Sequence, residues 1–248
     1  MTRLNDNYSL IVFDWDQTLW NSWDLHVAGV WHAADLLELP RPPAEEIAPH
    51  YSMPIIHHIG EMFPHHTQDV YDNYQEFYRK HMLDLGHPYD GVLEAVANLK
   101  HRGYTLAVMS DKRARYGEQE ARESGIFKLL DSVHFRDEDG IYKPDPKRLQ
   151  VILDEVGVPA SRTLVVGDSH VDIQCAHNAE ATGAAALWGS VNPSATLHQK
   201  PRYVWRTVQQ MLDIFQTESL TEPPIGDVGG RQKLVQEDRA GGNHAGAV

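Results

Sequence analysis

The sequence predicts an α/β fold: a parallel sheet covered by helices on both faces, with a block of helices inserted after its first strand. Three observations carry this. A compact apolar run at residues 9–13, "SLIVF", stops at two carboxylates, as a buried strand does. From Tyr89 onward apolar runs alternate with segments of helical period, the rhythm of strand–helix–strand units. Between these two regions, from Trp20 to Pro88, no strand pattern survives, and Pro-rich turns separate helical segments.

Taken in order, residues 9–13 form the first strand. Residues 24–39 place Leu25, Ala28, Val30, Trp31, Ala34 and Leu37 at helical spacing and stop at Pro40, Pro42 and Pro43. Residues 68–85 form a further helix, whose stripe of Tyr71, Tyr74, Phe77 and Tyr78 reads as packing rather than a ligand box. Helices follow over 91–102, 113–124, 146–156, 170–181 and 207–215. Strands are expected over 104–109, around Val133 and Phe135, and over 163–166 and 183–187. The domain division is a catalytic core from 1–19 and 89–216, with 20–88 inserted as a helical cap. Residues 217–248 are rich in Gly, Pro and charge without any period, so a disordered tail is expected.

Composition narrows the function. The 248 residues carry a net charge of −13, which repels phosphate backbones and anionic membranes. Nucleic-acid and membrane partners are therefore not expected. A small anionic substrate remains compatible, because local charge and metal ions decide its binding. The single cysteine, Cys175, excludes an internal disulfide and reads as a small apolar helix residue. The N-terminus lacks the apolar centre of a signal peptide, and no apolar run approaches the roughly 20 residues of a membrane span. A cytoplasmic location is the expectation.

The chemistry lies at the carboxyl ends of the predicted strands, where open α/β sheets bind ligands. Asp14 and Asp16 follow the first strand, and Ser110, Asp111 and Lys112 follow "YTLAVM". Lys143 lies in "YKPDP", while Asp168 and Asp172 lie in "GDSHVD". Carboxylates converging on one pocket repel one another unless a cation joins them. Hard oxygen ligands without Cys or His select Mg²⁺, which commonly shares a substrate phosphate. Ser110 and helix-start amides suit the phosphate oxygens, and Lys143 offsets the negative charge. Asp14 is then the natural nucleophile, forming an acyl-phosphate, and Asp16 the acid and base that serves the leaving oxygen and the attacking water.

The ordered set Asp14-x-Asp16-x-Thr18, Ser110, Lys143 and Gly167-Asp168-x-x-x-Asp172 resembles the four motifs of the haloacid dehalogenase (HAD) superfamily. The stretches "FDWDQTLWNS", "MSDKR", "YKPDP" and "VVGDSHVDIQCAHNA" are similar to those of its phosphoglycolate phosphatase-like subgroup. The resemblance covers about residues 9–215 and implies a Rossmann-like core with a C1-type cap. It implies that Asp14 is the nucleophile and a Mg²⁺ ligand, and that Asp16 is the acid/base and binds the metal through its backbone carbonyl. Thr18 would orient the loop, Ser110 and Lys143 would hold the phosphate, and Asp168 would be the acidic metal ligand. Asp172 would act through a metal-bound water or hold Lys143. The implied partner is a small phosphorylated metabolite; the oligomeric state is not legible.

The chain departs from the family pattern at two positions. Gln17 stands where Gly is usual, and it is compatible with the turn if its φ is negative, restricting the turn or presenting its amide to the cap. Asp111 stands where Asn is common; its carboxylate is expected to point away from the phosphate, leaving only its amide in use, with Lys112 helping to neutralise it. The pairs His57-His58 and His65-His66 lack an acidic partner at matching spacing and read as polar cap surface rather than a metal site. His57, His58 or the Ser52-Met53 loop would then touch the leaving group. Trp20 and Trp23 are expected to pack at the hinge, and the acidic run at 136–140 to form a solvated turn. The rival readings are a sugar phosphomutase using the same aspartates and a binding or regulatory protein on this scaffold. A dehalogenase or phosphonate hydrolase is disfavoured by Asp16.

Overall fold

In the computed structural model, residues 7–136 and 140–216 are described. The predicted tail and the centre of the acidic turn, residues 137–139, lie outside them. Six strands form one parallel sheet. In chain order these are β1 (Leu10–Phe13), β4 (Thr105–Arg113), β5 (Ser132–Arg136), β6 (Thr163–Gly167), β7 (Thr182–Ala186) and β8 (Tyr203–Trp205). Their spatial order is β5-β4-β1-β6-β7-β8, so the chain reverses its direction of growth at β1. β1 is central because all four of its residues are fully buried, with Phe13 in register with Val108 on one side and Val166 on the other. Burying each such side chain contributes roughly 1.5–3 kcal/mol.

The two-residue alternation of a strand divides the core into two layers. Ile11, Phe13, Leu106, Val108, Leu164 and Val166 point to one face. There they meet α5 (Val92–His101), α6 (Ala114–Glu123) and α10 (Val208–Gln216). Leu10, Val12, Ala107, Met109 and Val165 point to the other, against α7 (Lys147–Val156) and α8 (His170–Asn178). Cys175 belongs to this second layer as a fully buried apolar residue, as its sequence context predicts. α9 (Pro193–His198) packs beside α8.

The inserted segment contains α1 (Trp23–Leu36), α2 (Ala44–Ile47), α3 (Ile55–Met62) and α4 (Thr67–Leu85). Its apolar residues form a separate cluster, joined by Tyr116 from α6. α1 packs along α4, where Gly29 allows the Tyr74 ring to come within 3.0 Å of the place a Cβ would occupy. Among the described residues, no helix is long and apolar enough to cross a membrane.

The sequence pattern misses some short elements. β2 (Trp20–Asn21) and β3 (His87–Pro88) pair antiparallel where the chain enters and leaves the helical segment, although no strand is expected there. Trp20 is buried at this crossing and stacks on Trp15 at 5.9 Å; Trp23, half-buried, packs edge-on to Tyr51. β8 and α9 are also unpredicted, being only three and six residues long. β4 runs on to Arg113, beyond the expected end at Met109, through an irregular register with β5.

Candidate active site

The first loop is built by its backbone. The Asp14 amide donates to the Val166 carbonyl (2.9 Å), extending the ladder by one residue and setting Asp14 on the sheet edge. The chain then turns back, with the amides of Leu19 and Trp20 both donating to the Trp15 carbonyl at 2.9 Å. Gln17 sits in this turn with φ of 60°, in the left-handed region. This corrects the expectation of a negative φ: the turn demands the conformation that favours Gly, and Gln adopts it. Its fully buried amide compensates. With Oε1 accepting from the Ser22 and Trp23 amides (3.2 and 2.9 Å) and the Tyr51 hydroxyl (3.1 Å), Nε2 donates to the Tyr89 hydroxyl (2.5 Å). Gln17 thereby caps the start of α1 and joins the loop after β1 to the inserted helical segment.

Below this loop lies a buried cluster of acids. One carboxylate oxygen from each of Asp14, Asp168 and Asp172 lies within 4.8 Å of the others. Lys143 Nζ donates to Asp14 Oδ1 and to Asp172 Oδ1, both at 2.6 Å. Asp172 is held from behind, its Oδ2 accepting from the Ser169 amide (3.0 Å) and hydroxyl (2.5 Å) in a capping box that starts α8. Gly167 makes this approach possible, since a Cβ there would sit on the Asp172 carboxyl. Burial pushes the Asp14 carboxyl up to about 7, against the pull of the Lys143 ammonium. Burial and the neighbouring Asp172 and Asp14 also raise Asp168 well above the usual carboxylate range. Burial alone would lower Lys143, but Asp14, Asp172 and Asp111 outweigh it and hold its charge firmly. An all-carboxylate oxygen set with excess negative charge fits a hard divalent cation.

A second charged group surrounds Asp16. Its Oδ1 accepts from Ser22 Oγ (2.6 Å) and Lys112 Nζ (2.7 Å), and the same ammonium lies 2.7 Å from Glu120 Oε2. Glu120 is fully buried and also accepts from Trp15 Nε1 (2.7 Å) and the Tyr78 hydroxyl (3.1 Å). Lys112 therefore serves Asp16 and Glu120, not Asp111 as expected. Asp111 instead uses its carboxylate to accept from the Lys143 amide at 3.2–3.3 Å, so more than its own amide is engaged. Burial raises this carboxyl above its ordinary value.

A cavity of about 170 Å³ lies between these groups and the helical segment. Asp14, Asp16, Ser110, Lys143 and Asp168 line its floor, while His26, Tyr51, His58, Tyr74 and Tyr78 line its roof. Ser110 is buried, its Oγ accepting from the Lys112 amide at 3.3 Å. Thr18 is fully buried; its hydroxyl donates to Asp168 Oδ1 (3.4 Å) and it does not line the cavity. Asp172 likewise stays behind the lining and holds Lys143. Of the four paired histidines only His58 reaches the cavity, along with Ser52 and Met53; His57, His65 and His66 are exposed. The His58 ring lies 5.0 Å from that of His26, tilted by 49°, and burial lowers its pKa to about 4.

The residues that sequence reasoning misses include Ser22, His26, Tyr51, Glu120, Arg113 and Arg136, and Tyr74 and Tyr78, expected only to pack, also line the cavity. A signal exists for Glu120: it shares the inward face of α6 with Tyr116, Gly117 and Ala121, where a carboxylate is out of place.

Residues 11–186 match the family model described as haloacid dehalogenase-like hydrolase. A relative named pyrophosphatase PpaX from Listeria innocua is 27% identical over 174 residues, 70% of this chain and 80% of its own length. One of the same name from Bacillus mycoides is 26% identical over 205 residues, 83% of this chain and 95% of its own. Among solved structures, a haloacid dehalogenase-like hydrolase from Streptococcus pneumoniae superposes with a TM-score of 0.78 at 17% identity, covering 84% of this chain and 99% of that one. A "predicted phosphoglycolate phosphatase" from Haemophilus somnus gives 0.76 at 21% identity, covering 84% and 98%.

Proposed function

Because the chain belongs to the haloacid dehalogenase-like hydrolase family, we propose that it is a Mg²⁺-dependent phosphatase acting on a small phosphomonoester, with Asp14 as nucleophile and residues 20–88 as a C1-type cap. The observation that carries this reading is the Asp14 carboxylate on the cavity floor, bonded to Lys143, clustered with Asp168 and sharing the cavity lining with Asp16. Mg²⁺ would be held by the carboxylates of Asp14 and Asp168 and the Asp16 backbone carbonyl, with Asp172 behind them. When bound, it supplies positive charge to the phosphate and its ligands.

The remaining steps belong to the chain. Lys143 and the Ser110 hydroxyl hold the non-bridging oxygens, and the Asp111 amide adds a donor. An Asp14 carboxylate oxygen forms a bond to phosphorus as the ester oxygen leaves, and Asp16 gives that oxygen its proton. Asp16, now a carboxylate, removes a proton from water, which attacks the phosphorus and releases phosphate from Asp14. Thr18 keeps Asp168 in place, and Ser22 and Lys112 keep Asp16 in reach. Names of relatives that mention pyrophosphate and phosphoglycolate support a small phosphorylated substrate and leave open which one.

The test is phosphate release from an aryl phosphate and a panel of phosphomonoesters. Wild type with Mg²⁺ should turn over. Asp14→Asn, or addition of a chelator, should reduce kcat by at least about a thousandfold, as loss of a covalent nucleophile does. An inert wild type across the panel sinks the phosphatase reading. Isomerisation of a sugar phosphate without phosphate release replaces it with the mutase.

A further inference from the structure

Four cations line the cavity: Lys112, Lys143, Arg113 and Arg136. Each lysine is ion-paired at 2.6–2.7 Å with two carboxylates, and Lys143 already serves the transferred phosphoryl in the phosphatase reading. The two arginines are different: among the described residues, neither has a carboxylate within ion-pair distance. Arg113 is directly paired with Arg136 across β4 and β5, so their side chains leave the sheet edge from neighbouring strands, roughly 5 Å apart at the backbone.

Both guanidinium groups are held by neutral partners. Arg136 Nε donates to the Asp111 carbonyl (3.0 Å), and its guanidinium lies 5.0 Å from the centre of the Tyr142 ring. Arg113 donates to the Tyr71 hydroxyl and lies 5.8 Å from that ring. Aromatic faces and a carbonyl fix a guanidinium without cancelling its charge, and most of its five N–H donors stay available. The roof cannot supply that charge, because the cap residues lining the cavity include no Lys or Arg. Burial also lowers both roof histidines, His26 and His58, so they are neutral near pH 7.

The geometry points to Arg113 and Arg136 as a subsite for a second anionic group on the substrate, a carboxylate or a second phosphoryl, while Lys143 and Ser110 take the phosphoryl that is transferred. This rests on the phosphatase reading for the position of the first phosphoryl. It narrows the substrate to phosphomonoesters whose leaving half is itself an anion. Paired guanidinium groups recognise such groups by bidentate, charge-assisted hydrogen bonds, which a lysine cannot reproduce.

Binding of non-hydrolysable phosphonates separates the two ideas. With Mg²⁺ present, titration calorimetry would compare phosphonoacetate (second group a carboxylate), methylenediphosphonate (a phosphoryl) and ethylphosphonate (no second anionic group). Wild type should bind at least one of the probes with a second anionic group about tenfold or more tighter than ethylphosphonate. That ratio should fall towards one in Arg113→Gln and in Arg136→Gln, and recover only in part in Arg113→Lys. Because each ratio is measured within one protein, a general loss of stability does not mimic the effect. A wild-type ratio near one, a ratio unchanged in both variants, or no binding of any probe overturns the subsite, whatever the turnover. Arginine-dependent discrimination in a protein inert across the whole phosphomonoester panel keeps the subsite and overturns the phosphatase.

Discussion

Gln17 combines a costly backbone with a well-satisfied side chain. A left-handed φ of 60° costs a residue with a Cβ about 1 kcal/mol, while its buried amide joins Ser22, Trp23, Tyr51 and Tyr89. Glycine would remove the backbone cost and also lose the hydrogen bonds; alanine would lose them and keep the cost. The expected order of stability in urea unfolding is therefore wild type, then Gln17→Gly, then Gln17→Ala, with successive steps of about 1 kcal/mol. A Gln17→Gly protein more stable than wild type would show that the amide contributes little. Residue identity at the strand ends was legible because carboxylates stop an apolar run there. Gln17's φ was not, because the turn is set by three amides closing on the Trp15 carbonyl, a contact no local pattern encodes. Lys112 was assigned to its sequence neighbour Asp111, but folding brings Asp16 and Glu120 nearer to its ammonium.

At the scale of elements, length decided what could be read. β1 and β6, four and five buried residues long, announce themselves as apolar runs. β2 and β3 have two residues each and exist because the chain crosses twice between the sheet and the inserted helices. α3 is not expected from the sequence, where its two adjacent histidines read as polar surface, and which of them faces inward depends on packing against α1. That choice has a consequence. His58 is buried facing His26 and His50, and its pKa drops to about 4 from an ordinary 6.5. The unfolded chain then binds the proton first, so stability is complete above about pH 6.5 and is lost as pH falls towards 4. Relative to His58→Gln, wild type should lose about 3 kcal/mol across that window. Raised carboxylates such as Asp14 and Glu120 act with the opposite sign but are common to both proteins, so the difference reads His58 together with its effect on the His26 ring it faces. Parallel stability curves for the two proteins would show that His58 does not titrate in this way.

For the whole molecule, the order of motifs along the chain was enough to foresee one sheet edge carrying the chemistry, because a parallel sheet brings all its carboxyl ends to one side. The roof of the cavity was not legible. Its His26, Tyr51, Tyr74 and Tyr78 sit in a segment whose sequence shows helices and little else, and only tertiary packing brings those rings to the cavity. Arg113 and Arg136 are 23 positions apart and adjacent only through the β4–β5 register. The stacked indoles of Trp15 and Trp20 belong to this scale too. Trp15 leads into Asp16, Trp20 lies in the β2–β3 crossing, and their rings are 5.9 Å apart and tilted by only 16°. Two indoles held so close couple their electronic transitions, giving the protein a built-in optical gauge of the β2–β3 crossing. Its far-ultraviolet circular dichroism should carry a paired indole band that Trp20→Phe abolishes, and any shift of this crossing on ligand binding would be read as a change in that band without any added label.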